Sequence, residues 1–75
     1  MSQQYDVSQN FEPLWYKYVR VVENNGKIHE GRIMMVCRAD ENDNGEESIG
    51  IITNMELKTG IELYRHEIAS IERTK

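Results

Sequence analysis

The first ten positions of the chain are mostly polar, and the first regular apolar spacing comes with Phe11, Leu14 and Trp15. That i, i+3, i+4 pattern is one face of a helix, and Pro13 is tolerated only in a first helical turn. The spacing therefore predicts a short helix or turn held by Trp15. From Tyr16 the period drops to two. Val19 and Val21 face one way and Tyr18 and Arg20 the other, which reads as a first strand over Tyr16 to Val22. Asn25-Gly26 between two apolar runs predicts a hairpin, because both residue types accept positive φ. A long second strand follows over Lys27 to Ala39, with His29, Gly31, Ile33, Met35 and Cys37 on one face. Gly31 inside it marks a bend or a close backbone approach. Residues 40–47 read as a solvated acidic loop. Ser48 to Asn54, Ile61 to Arg65 and Ile68 to Glu72 complete a set of five strands, and residues 1–9 are expected to be a frayed end. Five short strands with hairpin-length connections close more readily into a barrel than they stack as a sandwich.

Length sharpens this picture, because 75 residues build one core and hence one domain spanning 1–75. A core of that size barely offsets the entropy of the ordered chain, so self-association as a homo-oligomer is expected. No apolar run is long enough to span a bilayer, and the N-terminus has neither a basic start nor an apolar centre; the expectation is a soluble, unexported, cytoplasmic protein without membrane partners. The lone Cys37 sits among apolar residues and reads as a buried reduced thiol. With no C-x-x-C pair or His/Cys cluster, no structural zinc is expected. A formal charge of −4 opposes general attraction to nucleic acid, so any RNA contact must be local.

Tyr18-Val19-Arg20-Val21, then Asn25-Gly26, then Gly31 and Ile33 resemble the first motif of Sm-like proteins, bacterial Hfq in particular. Tyr64-Arg65-His66-Glu67-Ile68-Ala69-Ser70-Ile71 is similar to the Tyr-Lys-His-Ala-Ile-Ser second motif of the same family. The resemblance implies an all-β, five-stranded, strongly bent Sm-like barrel with a short N-terminal helix or turn. It also implies rings in which the fourth strand of one subunit pairs with the fifth of the next. RNA binding is the family's usual work, and Arg65 and His66 hold the places of the pair that lines its uridine pocket, with Gln9 in the place of an N-terminal glutamine. Two departures concern the ligand. The Phe-Asp step that supplies a stacking ring in Hfq is absent, Arg38-Ala39-Asp40 standing at the end of a longer strand, and the acidic loop beyond it repels phosphate.

Other candidate chemistry is thin. Asp40, Asn42, Asn44 and Gly45 match the opening of a calcium-binding EF-hand loop, but its twelfth position is Ile51 instead of a bidentate glutamate, so no metal is expected. His29 has no second metal ligand at regular spacing and reads as a structural histidine. No phosphate loop, nucleophile elbow or cysteine motif is present, so neither an enzyme nor a cofactor is expected. Tyr64, Arg65 and His66 combine a ring, a cation and an imidazole beside a strand end, which suits a base or nucleotide. Two functions remain open: an Sm-like oligomer that binds RNA or single-stranded nucleic acid at Tyr64, Arg65, His66 and Gln9, or an adaptor, regulator or inhibitor that binds a protein partner or a nucleotide-like ligand at subunit junctions.

Overall fold

A computed structural model of the chain describes residues 3–54 and 56–74. It contains six strands: Gln3–Tyr5 (β1), Tyr18–Glu23 (β2), Ile28–Cys37 (β3), Ser48–Asn54 (β4), Thr59–Tyr64 (β5) and Ile68–Arg73 (β6). They form one antiparallel sheet in the order β1-β6-β2-β3-β4-β5. The five strands expected from period-two alternation are β2 to β6. Among the described residues β1 and β5 do not pair, so the sheet is open and six-stranded. Its extents, 30 × 26 × 25 Å, leave no thin dimension, so the sheet must curl around its core. Residues 1–9, expected to fray, instead enter the sheet through β1, which pairs Gln3 with Arg73 and Tyr5 with Ile71. Met1 and Ser2 lie outside the described residues.

One apolar cluster fills the inside of the curl. Val19 and Val21 come from β2, Ile33 and Val36 from β3, Ile49 and Ile51 from β4, Leu63 from β5, and Ile68 and Ile71 from β6. Phe11 and Leu14, both fully buried, close it from the N-terminal side. Phe11 precedes and Leu14 ends a one-turn 3-10 helix, Glu12–Leu14, where Pro13 fits because the first turn needs no donor from it. No longer helix forms among the described residues. Trp15 does not hold this turn: it is 38 % exposed and donates its indole N–H to the Met34 carbonyl at 3.1 Å.

Local geometry departs from strict alternation in two instructive places. The hairpin loop spans Asn24, Asn25 and Gly26, closed by Glu23 N–H to the Lys27 carbonyl at 2.8 Å, and within it only Gly26 has positive φ. This is the three-residue hairpin with a left-handed glycine. In β3 the pairing with β4 shifts between Ile33 and Met35, leaving Met34 as an extra residue. That bulge reverses the phase of the strand, so Ile33 and Val36 are buried whereas Met34 and Met35 are exposed. Cys37 is consequently half-buried and free, paired in register with Ser48 outside the main core.

Gly31 is a place of close approach: a Cβ there would lie 2.1 Å from the Ile52 carbonyl oxygen. His29 is half-buried against the Glu23 carboxylate across the first hairpin, as a structural histidine would be. The residues of the EF-hand-like opening lie in a 3-10 turn, Ala39–Glu41, and in the loop after it, while Ile51 is buried within β4.

Candidate functional site

Strand β5 ends at Tyr64, and a 3-10 turn over Arg65–Glu67 reverses the chain into β6. The turn is closed by the Tyr64 N–H donating to the Glu67 carboxylate at 2.9 Å. It is tied to the first hairpin by Asn24, whose side-chain amide donates to the His66 carbonyl at 2.6 Å. These bonds fix Arg65 and His66 on opposite duties.

Arg65 turns towards the N-terminal segment. Its guanidinium donates to the carbonyls of Val7 and Gln9, pairs with the Glu47 carboxylate, and lies 4.3 Å from the centre of the Phe11 ring. Gln9 therefore does meet Arg65, but through its backbone carbonyl, at 2.7 Å. The Arg65 and Glu47 side chains are 29 % and 13 % exposed, so this cation serves the protein's own chain. His66 is the exposed member. Its Nδ1 sits 2.7 Å from the Glu46 carboxylate, and its ring stacks on Tyr64 with centroids 6.3 Å apart and planes 11° from parallel. Glu46 and Glu47, placed in a solvated loop by their sequence, are thus half-buried parts of the site.

The N-terminal segment held by Arg65 carries a perturbed tyrosine. Burial pushes the Tyr5 phenol above its ordinary value of 10.0, helped by the Glu47 and Asp6 carboxylates, and the O–H donates to the Asn10 carbonyl. Because the folded state favours the protonated phenol, the stability it contributes is complete below about pH 10 and is lost as pH rises through the shifted value. The melting temperature of the wild type is expected to fall more steeply than that of Tyr5→Phe on alkaline titration. Parallel curves would show that the phenol contributes nothing.

A second surface, not singled out by the sequence motifs, lies on the outer face of β2 and β3. The β2–β3 register sets Tyr18 opposite Arg32. The Arg32 guanidinium lies 5.6 Å from the Tyr18 ring and 5.7 Å from the Tyr16 ring, with Trp15 tilted 5.9 Å from Tyr16. Tyr16 adopts a left-handed conformation, φ 69°, rare for a bulky residue. Its N–H donates to the Ile33 carbonyl at 2.7 Å and its carbonyl accepts from Arg32 Nε at 3.0 Å. The strained corner therefore aims two aromatic side chains outward. Among the described residues Arg32 makes no ion pair, unlike Arg20, Arg38 and Arg65. The exposed Met34 and Met35 continue this surface into a shallow groove lined by Gly50, Ile52, Gly60 and Ile61, which opens at β5.

Among the described residues no cluster of His, Cys, Asp and Glu is placed to hold a metal ion, and no described helix is long and apolar enough to cross a membrane. Compared with known proteins, the chain matches no family model, no curated protein and no solved structure.

Proposed function

We propose that the chain is a non-enzymatic, Sm-like binding module that engages a protein segment across Trp15, Tyr16, Arg32 and the Met34-Met35 groove. The observation that carries this reading is Arg32, a cation set between two aromatic rings and, among the described residues, without a carboxylate partner. Trp, Tyr, Arg and Met are the residues enriched where protein partners bind, and a stacked guanidinium pairs well with a carboxylate. The two methionines add an apolar surface that adapts to its occupant. The strands β2 to β6 form part of one antiparallel sheet, which agrees with the all-β part of that reading.

Selection from a displayed random-peptide library tests the proposal. Enriched peptides are expected to carry a carboxylate next to apolar residues, and Arg32→Ala is expected to weaken them roughly tenfold to a hundredfold, the size of one charge-assisted pair. Peptides that bind wild type and Arg32→Ala equally would overturn it.

A second reading, single-stranded RNA at the barrel end, is favoured by the exposed His66 ring stacked on Tyr64. Arg65 would then have to leave its intramolecular partners. Titration of labelled oligouridine at low salt separates the two: binding lost in His66→Ala and kept in Arg32→Ala would favour RNA.

A further inference from the structure

The sheet has two edges, and they are treated differently. On one side β1 already covers β6 at Ile71, Glu72 and Arg73, and the Arg65 contacts to Val7 and Gln9 fasten the segment that follows β1. On the other side β5 has β4 as its only strand neighbour among the described residues. An edge strand presents a row of unpaired N–H and C=O groups, a template for another chain. Residues of β5 carry little that guards it: no proline and no lysine lie in Thr59–Tyr64, and Gly60 and Ile61 form the open end of the apolar groove.

We propose that two copies of this chain pair β5 to β5, antiparallel about a two-fold axis, to give one continuous sheet across a dimer. The β5 sequence itself favours a second copy as the occupant and narrows the register. A two-fold sheet must place equal faces opposite each other, so the axis has to pass through a residue. Centred on Glu62, it would set two carboxylates directly across the junction, which is repulsive. Centred on Ile61, it joins residues 59–63 with Ile61 against Ile61, Glu62 against Gly60 and Leu63 against Thr59, and no like charges meet. The half-buried Ile61 side chains, adjoining the core of each copy, become buried in the pair. A head-to-tail ring, in which β5 pairs with the β6 edge of the next copy, is obstructed where β1 lies.

Sedimentation velocity from low to high micromolar protein is expected to show a monomer–dimer equilibrium. Ile61→Lys puts two ammonium groups at the axis and should weaken it roughly a hundredfold, while leaving the circular dichroism spectrum unchanged. Should Ile61→Lys fail to fold, Ile61→Cys in a Cys37→Ser background decides the matter with a short bismaleimide. Position 61 should cross-link into covalent dimers and Glu30→Cys should not. A monomer at every concentration, a dimer that survives Ile61→Lys, equal cross-linking at both positions, or a larger closed ring would overturn the proposal.

Discussion

Gly31→Ala is expected to unfold the protein or leave it barely folded. The added Cβ would lie 2.1 Å from the Ile52 carbonyl oxygen and 2.9 Å from its carbon, both backbone atoms within a paired ladder. Gly60 meets the same strand from its other side, where a Cβ would lie 2.0 Å from the Ile51 carbonyl oxygen. Neither neighbour is the end of a flexible side chain, so relief requires β3 or β5 to move off β4. That movement would open the core at Ile33, Ile51 and Leu63. A cost of about 4 kcal/mol is in the range of severe core and backbone strain. It compares with a total stability of roughly 4–11 kcal/mol for a chain of this length. Gly45→Ala is the control: its φ of 74° is left-handed, but nothing lies within 4 Å of a Cβ there, so a loss of about 1 kcal/mol is expected. Urea denaturation followed by circular dichroism measures both. Equal midpoints for the two variants would mean that the strands do not approach as closely as described.

Arg65→Ala should lower stability by about 3 kcal/mol, because it strips a half-buried carboxylate of its cation and two carbonyls of their donor. For a chain of this size that is a fall of at least about 12 °C in melting temperature. Hydrogen exchange should localise the damage, with protection lost first in residues 5–9 and along β6. Arg65→Lys is expected to recover only part of it, since one ammonium cannot span three acceptors in the plane of a guanidinium while lying over the Phe11 ring. The same variant bears on the RNA reading. Unchanged thermal stability together with lost oligouridine binding would assign Arg65 to a ligand instead of to the N-terminal segment.

The strands β2 to β6 were legible because each buries alternate residues against one core, and alternation is a local property of the chain. What escaped was set by tertiary contacts. Gln3-Gln4-Tyr5 has no apolar alternation, and it becomes a strand because β6 offers an edge and Arg65 fastens the segment beyond it. The bulge at Met34 leaves no mark in a run of apolar residues, so strict alternation places Met35 on the wrong face. The intramolecular partners of Arg65, Val7, Gln9 and Glu47, lie far away in sequence and leave no local mark beside it. The Tyr18–Arg32 pair illustrates how close a reading can come. A two-residue Asn25-Gly26 turn would set Tyr18 against Ile33, and the actual three-residue loop moves it by one position to Arg32.

The pairing of Gln3 with Arg73 has a consequence for how such a fold can be reused. Gln3 and Arg73 lie on adjacent strands, roughly 5 Å apart, as paired residues must. A host protein could therefore carry the whole domain as an insertion in a surface hairpin, with little loop-closure entropy and no displacement of the host's own strands. By the same geometry, joining the two ends by a short linker and cutting the chain at an exposed loop such as Asp43-Asn44 would yield a permuted protein whose sheet is unchanged.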